Sequence, residues 1–182
     1  MLEKLPHAVG RALHGNRAGE EKLLHTAAAK DAPELLTVES AAVLAGGALP
    51  ARFTADGDGI SPPLKWSGVT RDTPAVLVVV EDADSPTPQP IVHLLALVTP
   101  GADGDWAEGA IAARLGKNSF GKAGWLPPDP PPGHGPHRYV VQVFALKAAP
   151  DLHDGFGKGE AKSALEAGVL AKGVLTATYE RA

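Results

Sequence analysis

Three long runs of apolar residues occupy the middle of the chain and predict buried β-strands. The runs Ala75–Val80, Ile91–Val98 and Tyr139–Leu146 show almost no alternation of apolar and polar positions, which indicates that both faces of each strand are covered. The segment between the first two runs, Glu81–Pro90, is too short and too rich in turn-forming residues for a helical crossover. The two strands are therefore expected to be antiparallel.

Weaker patterns flank these runs. Leu36–Val38 and Leu49–Phe53 are short and β-like. Near the C-terminus, Lys158–Lys172 has apolar residues on one side and is followed by a glycine, which predicts a helix. The alternating, β-branched segment Val174–Glu180 then predicts a last strand. Together the patterns predict a mainly β fold with a few peripheral helices.

The first 30 residues have a different character. Leucine and valine recur at three- and four-residue steps between residues 2 and 28, which predicts one or two short amphipathic helices with a break near Gly15 and Asn16. We predict an N-terminal helical extension over residues 1–30 and a β-sandwich domain over residues 31–182. The extension either docks on its own domain or serves as a dimerisation arm, and the pattern leaves both open.

A long loop is predicted before the third apolar run. Of the 21 residues from Gly116 to Pro136, 11 are glycine or proline, a density that excludes a helix or a central strand. Loops of this length in a compact domain are usually functional or mobile. The prolines favour an ordered loop, because they restrict the unfolded chain more than the folded one.

Composition narrows the classes of function. A chain of 182 residues with 44% apolar and 21% charged residues is typical of one globular domain. A net charge of -4 gives no general attraction for nucleic acid, and the absence of cysteine excludes disulfides and thiol chemistry. The N-terminus has no pattern of a secretory signal, and no apolar run is long enough for an integral membrane segment. A cytoplasmic protein is predicted.

The first candidate site residues are Asp82 and His93. Asp82 lies in the polar segment Glu81–Pro86, directly after an apolar strand, although an ordinary turn has the same composition. His93 lies inside an apolar run, where each ring nitrogen needs a partner. Antiparallel pairing brings it back towards Asp82, whose carboxylate would orient the ring and raise its pKa. A core histidine with satisfied hydrogen bonds is the alternative.

The second candidate is the segment Gly133–Tyr139, at the exit of the long loop. Gly133 and Gly135, on either side of His134, let backbone N–H groups approach a ligand closely, and His137 adds a donor near neutral pH. Such a segment suits phosphate. Arg138 alternates away from His137 on a strand, so we expect a structural role for it, either pairing with a carboxylate or capping the loop.

Two catalytic alternatives use the same region. Asp82, His93, His134 and His137 are reasonable ligands for zinc or iron, although the chain has no HExxH pattern. A hydrolytic triad needs an activated nucleophile, and the serines considered lack the G-x-S-x-G turn. These serines are Ser61, Ser67, Ser85 and Ser119.

Four segments together resemble a known family. Ile60–Val69, Glu81–Pro86, His93 and Gly133–Tyr139 resemble, in order and spacing, the signatures of the phosphatidylethanolamine-binding proteins, also called Raf-kinase-inhibitor-like proteins, of bacterial type. The resemblance spans about residues 36–180. It implies an antiparallel β-sandwich with a small ligand cavity at one end.

The resemblance also implies site residues and a function. Asp82, His93, His137 and Tyr139 would line the cavity, with Asp84, Pro86 and Arg138 as secondary members. The implied function is binding of a small anion, phosphate or a phospholipid head group, with no enzymatic activity and no cofactor. The resemblance allows a regulatory role as inhibitor of a kinase or protease. A homodimer and a metal-dependent enzyme built on the Asp/His cluster stay open as alternatives.

Overall fold

A computed structural model describes residues 6–181 of the chain as two antiparallel sheets with three short helices. The α-helices are α1 (His7–Leu13), α2 (Leu24–Ala27) and α3 (Lys158–Glu166). The strands are β1 (Thr37–Glu39), β2 (Leu64–Ser67), β3 (Ala75–Asp82), β4 (Ile91–Val98), β5 (Gly104–Trp106), β6 (Arg114–Leu115), β7 (His137–Leu146) and β8 (Val169–Tyr179). The strand order is β1-β2-β5 in one sheet and β6-β4-β3-β7-β8 in the other. The predicted mainly β, antiparallel fold is confirmed.

The larger sheet is buried on both faces. One face packs against the smaller sheet, and residues such as Val78 and Trp66 share that core. The other face packs against α2 and α3, where Leu77, Leu24 and Leu165 share a second core. All eight residues of β3 are therefore buried, which explains why the strand shows no polar alternation.

The register of the central strands gathers polar residues at one end of the sheet. Asp82, at the end of β3, pairs with Ile91 on β4 and with Tyr139 on β7. His93 and His137 each lie two residues from these partners. The antiparallel pairing inferred from the sequence thus brings distant residues together.

The predicted helix Lys158–Lys172 is wrong at its C-terminal end. The helix ends at Glu166, and the last strand begins at Val169 rather than at the predicted Val174. Gly168 lies between them with φ +134°, a conformation open to glycine that breaks the helical path. The apolar residues after it pair with β7, so strand pairing overrides the helical spacing.

The prediction of a β-like segment at Leu49–Phe53 is also wrong. Residues Ala51–Phe53 form one turn of 3-10 helix that follows Pro50. Phe53 is fully buried there and packs with Leu49 and Val43. Its burial comes from this small cluster rather than from membership of a sheet.

The N-terminal segment is helical and lies on the rest of the chain, with the break between α1 and α2 at the predicted place. Leu24 packs in the core beneath the larger sheet, and its backbone N–H donates to Glu81. Residues 2–5 of the predicted helical region lie outside the described residues, and the boundary at residue 30 stays a prediction. Within residues 6–181, no helix has the length and apolar content needed to cross a membrane.

The Gly/Pro-rich segment from residue 116 to 136 is a loop, as predicted, and it is tied to β4. The N–H of Gly116 donates to Leu95, and the N–H of Leu126 donates to the carbonyl of His93 at 2.8 Å. The side chain of Asn118 accepts from the amides of Phe120 and Lys122. These contacts place the loop over the end of the sheet that carries Asp82.

Candidate functional site

A cavity of about 470 Å³ lies where the long loop covers this end of the larger sheet. Of the predicted site residues, Asp82, His93, His137 and Pro86 line it. The structure therefore brings together a carboxylate and two imidazoles from three neighbouring strands. All three of these side chains are almost completely buried.

A chain of hydrogen bonds runs from Asp82 to the N-terminal segment. Asp82 Oδ2 lies 2.8 Å from His137 Nδ1, and His137 Nε2 lies 2.7 Å from His134 Nδ1. His134 Nε2 lies 2.9 Å from the carbonyl oxygen of Leu13 and 3.2 Å from that of Asn16. Both ring nitrogens of His137 are therefore occupied by protein groups.

The partners in this chain fix where its protons lie. His134 Nε2 faces only carbonyl oxygens, so it must donate, and a neutral His134 then accepts at Nδ1. Burial and the neighbouring His137 lower the pKa of His134, which favours this neutral form. His137 Nδ1 faces the Asp82 carboxylate and its Nε2 faces His134 Nδ1. His137 therefore offers the cavity no unoccupied ring nitrogen.

His93 is held differently from the sequence-based expectation. Its Nδ1 lies 2.7 Å from the carbonyl oxygen of Leu126 rather than on Asp82. Its Nε2 is buried and has no hydrogen-bond partner among residues 6–181. Burial lowers the pKa of His93, and the opposing charge of Asp82 does not outweigh it. The expected rise in pKa is not observed, because desolvation exceeds the attraction of the carboxylate.

Tyr139 is not among the residues that line the cavity, although the resemblance implied that it would be. Its ring packs edge-on against His93, with centroids 5.1 Å apart. Its hydroxyl is buried and has no hydrogen-bond partner in the described part of the chain. Burial, and then the charge of Asp82, raises the pKa of Tyr139 well above its ordinary value. The hydroxyl therefore keeps its proton at neutral pH.

Asp84 and Arg138 form an ion pair beside the cavity. Arg138 donates to both carboxylate oxygens of Asp84 at 2.8 and 2.9 Å, as expected for a structural pair. Arg17 adds a third contact at 3.0 Å. Burial would raise the pKa of Asp84, but the hydrogen bonds from the two arginines lower it to about 2. Asp84 thus joins the N-terminal segment to strand β7.

The structure does not bring Gly133, His134 and Gly135 to the cavity. Gly133 and Gly135 have positive φ values and lie against α1 and the residues that follow it. A Cβ at Gly10 of α1 would collide with the carbonyl oxygen of Pro132, so the helix packs tightly on this loop. The predicted approach of these glycine amides to a ligand is not supported, because the N-terminal segment occupies their surroundings.

Several cavity residues were not predicted from the sequence. Most of them come from the long loop, among them Phe120, Lys122, Leu126 and Asp129. Phe120 is 60% exposed at the cavity rim, although apolar aromatic side chains are usually buried. The available signal was the loop itself, since a long Gly/Pro-rich segment next to candidate ligands commonly carries site residues.

Arg181 holds one wall of the cavity in place. It is only 9% exposed and lies 2.7 Å from Asp56 and 2.6 Å from Asp129. Its guanidinium also donates to the carbonyl of Pro130 at 2.8 Å. Burial would lower the pKa of Arg181, but its hydrogen bonds to Asp56 and Asp129 raise it.

Replacing Arg181 by methionine is expected to loosen this wall. The amide of Ala55 donates to the carbonyl of Pro128 at 2.9 Å, and its hydrogen exchange should accelerate about tenfold if opening becomes easier by about 1.4 kcal/mol. The amide of Val79 in the sheet serves as the internal control. Equal protection of Ala55 in both proteins would contradict the anchoring role.

The structure does not arrange the four candidate metal ligands, Asp82, His93, His134 and His137, around a common point. Within residues 6–181, no group of three or more histidine, aspartate or glutamate side chains is arranged to hold a metal ion. His134 directs both nitrogens at protein partners. The geometry gives the metal-dependent alternative no support.

Comparison with known proteins matches this architecture. A family model described as phosphatidylethanolamine-binding protein matches residues 39–180. A UPF0098 protein of Methanothermobacter thermautotrophicus is 33% identical over 141 residues, covering 74% of this chain and 92% of the relative. A UPF0098 protein of Chlamydia trachomatis is 32% identical, covering 75% and 93%.

Solved structures show the same fold. A crystal structure from Chlamydia trachomatis, described as a homologue of phosphatidylethanolamine-binding protein, superposes with a TM-score of 0.75 at 31% identity, covering 82% of this chain and 99% of that one. YbcL of E. coli, described as a member of the mammalian family of these proteins, has a TM-score of 0.74 at 26% identity, covering 81% and 99%.

Proposed function

Because this chain belongs to the phosphatidylethanolamine-binding protein family, we propose that it binds a small phosphate-type anion, free or as a phospholipid head group, in the cavity beside Asp82. Binding rather than catalysis is proposed, since the described site presents no activated nucleophile.

The buried, unpartnered Nε2 of His93 carries this proposal. Buried polar atoms in folded proteins almost always have a partner, and leaving one unsatisfied costs about 1–3 kcal/mol. His93 lines the cavity, while its other ring nitrogen is held by the loop. A polar guest would satisfy the remaining nitrogen.

The surrounding wall fits an anion with an organic substituent. Lys122 supplies positive charge, and Phe120 and several prolines supply apolar surface. Asp82 already accepts hydrogen bonds at both carboxylate oxygens, from His137 and from the N–H of Asp84. An anionic group at the inner end with an apolar or small polar substituent towards Phe120 is the arrangement that the wall favours.

Titration with inorganic phosphate and with phosphoethanolamine tests the proposal. The imidazole NMR signals of His93 should shift with saturation, and Lys122→Met should weaken binding about five- to tenfold through loss of one charge-assisted contact. Lys65→Met, an exposed change on the other sheet, is the matched control. Unmoved His93 signals at high phosphate would contradict the proposal.

Inhibition of a kinase or protease, a homodimer and a cytoplasmic location stay predictions. Each rests on the sequence resemblance or on composition alone.

A further inference from the structure

We infer that the cavity takes up its anion together with one proton, which is shared between a ligand oxygen and His93 Nε2. The inference rests on the proposed function and narrows the ligand class to anions that are bound in protonated form, such as the monoanion of a phosphate monoester.

The first step is the tautomer of His93. The carbonyl oxygen of Leu126 can only accept, so His93 Nδ1 carries the hydrogen of the 2.7 Å bond. A second hydrogen bond fixes the position of this carbonyl, because the N–H of Leu126 donates to the carbonyl of His93 at 2.8 Å. The main chain of Leu126 is thus clamped to β4 through both its N–H and its C=O. In the neutral ring, Nε2 then bears a lone pair and acts as an acceptor.

The second step concerns the groups that face this lone pair. On β3, Asp82 is engaged by His137, and Glu81 is engaged by Lys158 and Gln142. On β7, the second nitrogen of His137 is engaged by His134.

The remaining neighbours give Nε2 no donor either. Tyr139, also on β7, contacts His93 with its ring. On the loop, Asp129 is paired with Arg181, and Lys122 lines the same cavity without a hydrogen bond to Nε2. None of the described groups donates a hydrogen bond to Nε2.

The third step is the electrostatics of an incoming phosphate. A fully ionised phosphate monoester would place an oxygen lone pair against the lone pair of Nε2, which is repulsive at a buried ring nitrogen. With one proton added, the ligand oxygen donates to Nε2. The balanced step is a dianion plus one proton from solvent plus the protein. It gives a complex in which a new O–H bond of the ligand donates to Nε2, and no bond between heavy atoms forms or breaks.

Calorimetric titration with methyl phosphate tests this directly. Binding heats measured at about pH 8 in two phosphate-free buffers of different ionisation enthalpy should yield an uptake of about one proton per ligand, because the second ionisation of a phosphate monoester lies near pH 6. The dissociation constant should rise about tenfold per pH unit above that value. At about pH 5 the uptake should approach zero, since the ligand then brings its own proton.

A variant and a second signal locate the proton. His93→Phe keeps a planar ring without nitrogen, and its residual binding at about pH 8 should proceed without proton uptake. In the wild type, the nitrogen NMR resonance of His93 Nε2 should move from the range of a bare ring nitrogen towards that of a hydrogen-bonded one. This signal requires no variant to fold.

The outcomes separate the two ideas. Binding of methyl phosphate without proton uptake, or with an uptake that His93→Phe retains, would overturn the inference and leave the anion site in place. Absence of binding by the wild type at every pH would overturn the proposed function itself.

Discussion

Replacing Glu81 by alanine is expected to lower the free energy of unfolding by about 3–5 kcal/mol, the usual effect of breaking a buried ion pair from one side. Glu81 is completely buried. Its carboxylate lies 2.6 Å from Lys158 Nζ and accepts from the amide of Leu24 at 2.9 Å and from Gln142 at 2.8 Å. The alanine variant would leave all three donors without this acceptor.

Urea unfolding followed by circular dichroism measures the effect of the Glu81 substitution. Glu166→Ala is the matched control, because it removes an exposed glutamate whose 3.5 Å contact with Lys162 belongs to a surface pair. Such pairs contribute about 0.3–0.5 kcal/mol. A Glu81→Ala variant as stable as the control would show that the network beneath the N-terminal segment has no net stabilising effect.

Asp84→Asn is expected to remove about 2 kcal/mol of stability at neutral pH. The pKa of Asp84 falls from 3.8 to about 2 in the folded protein, and each pKa unit corresponds to about 1.4 kcal/mol. Because the folded pKa lies below the unfolded one, the contribution is present above about pH 4 and is lost as the pH falls towards about 2.

Unfolding free energies measured from about pH 7 down to about pH 2 test the Asp84 prediction. The wild type should lose stability more steeply than the asparagine variant between about pH 4 and about pH 2, so the two curves converge in acid. Asp72→Asn, which removes an exposed carboxylate, should run parallel to the wild type. Parallel curves for Asp84→Asn would contradict the ion-pair account.

The sequence predicts the core strands well because strands buried on both faces appear in it as long apolar runs. The run Ile91–Val98 coincides with β4, since a strand covered on both faces has few polar residues, here His93. The end of α3 was wrong because Ala161, Leu165 and Val169 keep helical spacing across a glycine that the folded chain uses as a turn. Backbone conformation at a single glycine is decided by tertiary pairing, which apolar spacing does not encode.

Three central members of the candidate site were predictable from the sequence, but neither the loop residues that line the cavity nor the hydrogen-bond partners were. Residue order and antiparallel pairing place Asp82, His93 and His137 together. Which nitrogen meets which partner depends on the path of the long loop and of the N-terminal segment. Along that path, the carbonyl of Leu126 bonds to His93, and the carbonyls of Leu13 and Asn16 bond to His134. Every residue type has such a backbone carbonyl. Side-chain identity therefore carried no signal of these contacts.

The N-terminal segment lies upstream of residue 39, where the match to the family model begins. Even so, its carbonyls close the hydrogen-bond chain that starts at Asp82, and its Arg17 reaches Asp84. A change in the path of this stretch, or at Arg17, therefore alters how His134 and Asp84 are held in the shared domain. Relatives that are aligned only over that domain can preserve every motif and still differ in these contacts.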